Sequence, residues 1–133
     1  MFDIFTLLIA FQFKHFICDY PLQTSYMLGK MRATNWVLPL TAHAAVHAIG
    51  TFTVSYIFLL NLSYTLDAIL FASILSVTDF VVHFFVDRLK ASPNLGGKFN
   101  PTQPYFWWAL GADQMAHHLT HYFLIFTLIL LGA

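Results

Sequence analysis

The sequence contains no glutamate and few charged residues of any kind. Of its 133 residues only 9% are charged, whereas 59% are hydrophobic. A soluble domain carries about 25% charged residues, which keep its surface hydrated. The composition therefore excludes an ordinary water-soluble domain and predicts that a lipid bilayer surrounds most of the chain. The net charge is zero with histidine neutral, so no nucleic-acid partner is expected.

The sequence has a single cysteine and lacks the features of a secretory signal peptide. Cys18 is the single cysteine, so no disulfide can form within the chain. The first apolar run has no basic residue before Lys14, and no small-x-small cleavage pattern follows it. We therefore expect a retained helix here and not a cleaved signal peptide.

Four long apolar stretches are present. They span roughly residues 2–19, 36–60, 66–87 and 105–131, and proline or asparagine punctuates the chain between several of them. About 20 apolar residues suffice to cross the hydrocarbon core. We predict an all-α, four-helix transmembrane bundle forming a single integral membrane domain over residues 1–133. A water-soluble bundle would need a charged outer face that these stretches lack.

The basic residues indicate the orientation. Loop one (residues 20–35) holds Lys30 and Arg32, and loop three (residues 88–104) holds Arg88, Lys90 and Lys98. The short link of residues 61–65 and both termini hold none. The positive-inside rule then places loops one and three in the cytoplasm and both termini outside.

Each predicted span carries His and Asp residues four positions apart. Residues at i and i+4 lie about 40° apart around a helix and about 6 Å apart along it, so each group forms one stripe on one face. With the predicted topology, all four stripes lie in the cytoplasmic half. The candidate residues are His15, Asp19, His43, His47, Asp79, His83, Asp87, Asp113, His117 and His121.

Four aspartates at one depth need compensation. An ionised Asp at the bilayer centre costs roughly 2.5–3.5 kcal/mol, and neighbouring carboxylates repel one another. We expect a divalent metal centre of two ions, with zinc, manganese or iron held by these ten residues. Alternatives are one ion whose ligands are oriented by the remaining His and Asp, a polar network without metal, and a proton path.

Residues beside the stripes have simpler interpretations. Lys14 and Arg88 are expected to pair with Asp19 or Asp87, or to extend to headgroups. His118 is interpreted as a packing or lipid-interface residue, and Cys18, which lies off the stripe of Asp19, is a disfavoured candidate ligand. Two further carboxylates, at the outer ends of spans, are expected to be solvated. These are Asp3 and Asp67. Aromatic residues at span starts predict an interfacial belt. They are Trp36, Tyr105, Trp107 and Trp108.

The spacing of these motifs resembles a known family. The matching motifs are His15-x3-Asp19 with Gln23 and Lys30, His43-x3-His47, Asp79-x3-His83-x3-Asp87 with Lys90, and Asp113-Gln114-x2-His117. They resemble the domain of unknown function 3307, found in small membrane proteins of bacteria and their phages. The resemblance implies the bacterial inner membrane and no defined activity. A more distant similarity is to predicted membrane-bound metal-dependent hydrolases, which is an analogy.

Two classes of function follow. The first is a metal-dependent hydrolase at the cytoplasmic leaflet, with Asp19 or Asp113 as general base and a phospholipid or other anionic substrate held by Lys30, Arg32 and Lys90. The second is non-catalytic: a structural metal clasp, or a protein that binds or transports metal or protons. Haem ligation by His47 and His117 is disfavoured because haem prefers an apolar pocket. A homodimer is compatible with the sequence.

Overall fold

Four α-helices build the fold, as a computed structural model shows for residues 2–62 and 67–131, with side chains described from residue 4 onward. The helices are α1 (Phe2–Asp19), α2 (Val37–Asn61), α3 (Asp67–Ala91) and α4 (Pro104–Leu131). Short 3-10 helices at Met27–Met31 and Gly96–Lys98 lie in loops one and three. This part of the chain contains no strand, so the predicted all-α class is confirmed.

The helix bounds follow local chemistry. α4 begins at Pro104, and proline is favoured at a first helical position because its missing N–H would have no partner there. α3 has Asp67 in its first turn and Arg88 and Lys90 in its last turn, both favourable toward the helix dipole. α3 therefore continues one turn beyond the predicted end at Asp87. Asp67 is exposed, as predicted. The predictions for residues 63–66 and for the side chain of Asp3 lie outside the described residues.

α2 and α3 form the most extensive interface of the bundle. Thr51 Oγ1 donates to Asp79 Oδ2, and His47 stacks on His83. One turn further along, His43 lies against Asp87. Successively lower residue numbers in α2 therefore contact successively higher residue numbers in α3. These two helices are antiparallel neighbours.

The interior of the bundle has a polar half and an apolar half. The polar half holds the His and Asp stripes. The apolar half, away from loops one and three, is a cluster of buried side chains from all four helices. Its members are Leu7, Phe11, Leu59, Ala68, Leu75, Leu124, Ile125 and Leu128.

The outer surface of the bundle is apolar. Phe13 and Phe16 on α1, Phe85 on α3, and Leu119 and Phe126 on α4 are all exposed. Two helices in the described part of the chain, α2 and α3, are long and apolar enough to cross a membrane. Soluble monomers rarely expose contiguous apolar surface of this kind, and their buried residues are seldom Asp and Lys.

Arg88 fastens loop one to the end of α3. Its guanidinium lies 3.8 Å from the centre of the Trp36 ring and donates to the carbonyl oxygens of Lys30 and Arg32 at 3.1 and 3.3 Å. The prediction that Arg88 pairs with Asp19 or Asp87 is therefore wrong. The reason is that loop one folds back over α3 and brings its own carbonyl groups within reach.

Candidate metal centre

All ten candidate residues meet in the polar half of the bundle. Nine are buried, and the Asp19 side chain is 24% exposed. His15 lies at the centre, with its ring centroid 5.2–5.8 Å from those of four other histidines. These are His47, His83, His117 and His121. The helical spacing of the sequence thus brings side chains of four helices into one cluster.

Asp19 joins α1 to α2. Its Oδ2 lies 3.1 Å from His15 Nε2, and its Oδ1 lies 3.0 Å from His47 Nε2 and 3.4 Å from His43 Nε2. No lysine pairs with this carboxylate among the described residues. Asp19 therefore depends on imidazole groups for its contacts.

Asp87 joins α2, α4 and loop one. Its Oδ2 accepts a hydrogen bond from Lys30 Nζ at 2.6 Å and lies 3.0 Å from His43 Nε2. Its Oδ1 lies 3.1 Å from His117 Nε2. A single carboxylate thereby links three separate segments.

Asp113, on α4, is held from α3 and from its own helix. Lys90 Nζ donates to its Oδ2 at 2.9 Å, and Gln114 Nε2 donates to the same atom at 3.0 Å. His117 Nε2 lies 3.5 Å from the other carboxylate oxygen. The Asp113-Gln114-x2-His117 motif is therefore a contiguous local network.

Asp79 forms the deepest level of the centre. It lies eight residues before Asp87, about 12 Å along α3. Lys14 Nζ and Thr51 Oγ1 each donate to its Oδ2 at 2.6 Å. His83 Nδ1 lies 3.0 Å from Asp79 Oδ1 and 3.1 Å from the Asp79 carbonyl oxygen. The Lys14 and Asp79 side chains are 3% and 0% exposed, so this ion pair is fully buried.

Lysines compensate three of the four aspartates, which the sequence did not reveal. Lys14 pairs with Asp79, contrary to the prediction of Asp19 or Asp87. Lys30 and Lys90 pair with Asp87 and Asp113, whereas the sequence assigned them to a substrate. Four carboxylates and three ammonium groups leave one negative charge if the histidines are neutral. Charge balance alone therefore does not require two divalent ions, and the dinuclear site stays a prediction.

Several imidazoles have one nitrogen on a carboxylate and the other without a partner. Nδ1 of His83 faces only acceptors and so carries the proton, which leaves the lone pair on Nε2. His47 faces Asp19 through Nε2, which leaves Nδ1 as its lone-pair nitrogen. Within the described part of the chain, neither this nitrogen nor His83 Nε2 has a hydrogen-bond partner, and both ring nitrogens of His15 lack one. A buried polar atom without a partner is costly.

Three of these histidines lie close enough together to hold a metal ion. His15, His47 and His83 each offer a nitrogen, and these atoms lie within 4.8 Å of one another. Metal-binding histidines characteristically donate their second N–H to a carboxylate, which fixes the ring. Asp19 contacts His47 in this way, whereas His83 Nδ1 donates to the backbone carbonyl of Asp79, and His15 lies close to Asp19 without a hydrogen bond. The residues present therefore match a zinc-type site of three imidazoles.

Three further donor groups are close enough to share an ion. They are Asp19 with His43 and His47, Asp79 with His83 and His121, and Asp87 with Asp113 and His117. The carboxylates of the last two groups are already paired with lysines, which compete with a cation. His118 is half-buried, and its ring meets the edge of His15 at 6.2 Å. Cys18 donates from Sγ to the Val46 carbonyl at 3.6 Å.

Comparison with known proteins places the chain. A family described as "Protein of unknown function (DUF3307)" matches residues 4–132. The chain belongs to the DUF3307 family. No curated protein and no solved structure matches it. The predicted family resemblance is confirmed, whereas the analogy to membrane-bound hydrolases is not.

A polar cavity gives access to the centre of this DUF3307 protein. It has a volume of about 280 Å³ and is lined by three of the four aspartates, two lysines and two glutamines. It lies at the end of the bundle where α1 ends and α2 begins. At the opposite end, the apolar cluster of the core fills the bundle. The aspartate end of the centre is therefore open on the side of loops one and three, whereas the histidines lie behind it and do not line the cavity.

Proposed function

We propose that this DUF3307 protein is an integral membrane protein whose four helices all span the bilayer, with loops one and three in the cytoplasm. The exposed apolar side chains of all four helices support this proposal. So does the location of five of the six basic residues in loops one and three or the last turn of α3. With loops one and three in the cytoplasm, the membrane that we propose for this protein is the inner membrane of a bacterium.

We further propose that the protein binds one divalent transition metal ion through His15, His47 and His83. The observation that carries this proposal is that His15, His47 and His83 each have a buried ring nitrogen without a hydrogen-bond partner, and that one nitrogen of each lies within 4.8 Å of the others. One divalent ion would change the net charge of the centre from −1 to +1. A second ion would raise it to +3 in a buried site. Zinc is favoured over manganese and iron because three imidazoles form its usual ligand set.

A hydrolase is the second candidate, and the polar cavity favours it. A metal ion with three protein ligands keeps a position for water, whose pKa it lowers. Asp19 borders the cavity and has no lysine partner among the described residues, so it is the better general base. Asp113 is held by Lys90 and Gln114. The apolar half of the core argues against the alternative of ion or proton transport through the bundle.

Elemental mass spectrometry of the detergent-purified protein tests the proposal. We expect about one equivalent of zinc in the wild type and none in His83→Ala. Asp19→Ala should weaken zinc affinity by about 10- to 100-fold because it removes the carboxylate that orients His47. His118→Ala is the matched control. It removes a half-buried histidine that is not one of the three proposed ligands, so this variant should retain the metal.

Adding zinc to the purified protein tests whether the site binds metal even if the ion is lost during purification. Zinc should then raise the unfolding temperature of the wild type and of His118→Ala, but not of His83→Ala. A wild type that contains no metal and takes none up would contradict the proposal. Two equivalents would restore the dinuclear prediction.

A further inference from the structure

A groove between α3 and α4 opens to the outer surface beside the centre. Its volume is about 450 Å³. The wall on α4 is made of small side chains, Ala109, Ala112 and Ala116, and the wall on α3 contains Val86 and Leu89. The spacing of the alanines leaves a strip of α4 without bulky side chains. The groove is therefore deep enough for a hydrocarbon chain.

Two lysines stand at the loop-three end of this groove. Lys98 is exposed, and its ammonium lies 5.0 Å from the centre of the Phe99 ring. It has no carboxylate within ion-pair distance in the described part of the chain. The Lys90 side chain is 40% exposed and bonds to Asp113, so its ammonium retains free N–H donors. An apolar groove with cations at its end is complementary to an anionic amphiphile.

Two further apolar grooves in the described part of the chain lack this feature. The groove between α2 and α3, lined by Ala45, Phe52 and Val77, contains no basic residue. The groove between α1 and α2 contains Lys14, but that ammonium is buried against Asp79. A cavity between loop one, loop three and α4 contains Lys30 and Lys90, but these ammonium groups are paired with Asp87 and Asp113. The groove between α3 and α4 differs because it also contains Lys98, which has no carboxylate partner in the described part of the chain.

We propose that this groove binds an acyl chain of an anionic phospholipid from the bilayer, with the phosphate on Lys98 and Lys90. Lys90 and Asp113 line both this groove and the polar cavity over the centre. The bound phosphate therefore lies at the edge of that cavity. The idea that the phosphate is placed beside the metal site rests on the proposed metal centre. It makes anionic phospholipid the candidate substrate of that centre.

Native mass spectrometry of the full chain tests the proposal, using phosphatidylglycerol and phosphatidylcholine as probes. We expect phosphatidylglycerol to remain bound in preference to phosphatidylcholine. Lys98→Ala should weaken this binding by about fivefold, the effect of one cation near anionic lipid. Ala112→Phe fills the groove and should abolish it.

The matched controls are Arg32→Ala and Ala45→Phe. Arg32→Ala removes a cation from the same end of the molecule but outside the groove, and Ala45→Phe fills the groove that has no cation. Both should bind phosphatidylglycerol as the wild type does. Equal retention of the two lipids, or wild-type binding by both groove variants, would overturn the proposal. The same spectra report bound metal, so failure of the metal centre and failure of the lipid site are read separately.

Discussion

At the scale of single residues, the buried pair of Lys14 and Asp79 dominates the electrostatics of the core. Both side chains are inaccessible, and Asp79 also accepts from Thr51. We expect Lys14→Met to lower the free energy of unfolding by ~3–5 kcal/mol, because removing one partner leaves an uncompensated buried charge. Unfolding in mixed micelles titrated with sodium dodecyl sulfate measures this change.

The control and the compensating variant make that prediction specific. Lys98→Met removes an exposed cation and should change the free energy of unfolding by no more than about 0.5 kcal/mol. The double variant Lys14→Met/Asp79→Asn should recover most of the loss, because no unpaired charge then remains. A double variant as unstable as Lys14→Met would show that the lysine acts through packing and not through charge.

The sequence predicts which histidines and aspartates meet but not which lysines join them. His83 and Asp87 share a face because helical periodicity fixes it. The partner of Lys14 depends instead on how closely α1, α2 and α3 approach, which no periodicity encodes. Gly50 leaves the room in which Lys14 reaches α3, and a glycine inside an apolar run carries no such signal.

At the scale of helices, the bounds were predictable to within one residue where the end of an apolar stretch and a sequence signal coincide. α1 ends at Asp19 before Pro21, as expected. α3 continues to Ala91 because Arg88 and Lys90 favour the end of a helix, whereas hydropathy alone ended the span at Asp87. The sequence did not predict the 3-10 helices of the loops, because they depend on contacts with the segments that follow the helix ends. One such contact is the hydrogen bond that Gly97 N donates to the Ser92 carbonyl oxygen.

Two helical glycines provide a matched test of this packing. A Cβ at Gly50 in α2 would lie 2.8 Å from Lys14 Cγ, whereas a Cβ at Gly111 in α4 would meet nothing within 4 Å. Gly111→Ala should stabilise the protein by up to about 1 kcal/mol, the gain in helix propensity. Gly50→Ala should destabilise it by about 1–3 kcal/mol, the usual cost of overpacking. Equal effects of the two variants in the same unfolding titration would contradict the close approach of Lys14 to α2.

At the scale of the whole molecule, the distribution of polarity is the reverse of that in a soluble protein. His and Asp fill one half of the interior, and Phe, Leu and Ile cover the outside. Aromatic residues lie at the starts of α2 and α4, beside the basic loops. Burial of charge in the core and of apolar surface in lipid are both accounted for if the bilayer surrounds the bundle.

This arrangement makes a specific prediction about sidedness. In a Cys18→Ala background, single cysteines replace Ser25 in loop one, Asn94 in loop three, and Asn61 at the end of α2. All three positions are exposed.

Asn61→Cys should react with an impermeant maleimide on intact bacterial spheroplasts, because it faces outward in the proposed topology. Ser25→Cys and Asn94→Cys should react only after the membrane is opened, because the positive-inside rule holds their loops in the cytoplasm. The polar cavity lies on the same side as these loops, so the proposed topology predicts that zinc reaches it from the cytoplasm. Labelling of all three positions from outside, or recovery of the protein in the soluble fraction, would contradict the four-span topology. Labelling of Ser25→Cys and Asn94→Cys alone from outside would keep the spans but invert the protein and open the centre to the periplasm.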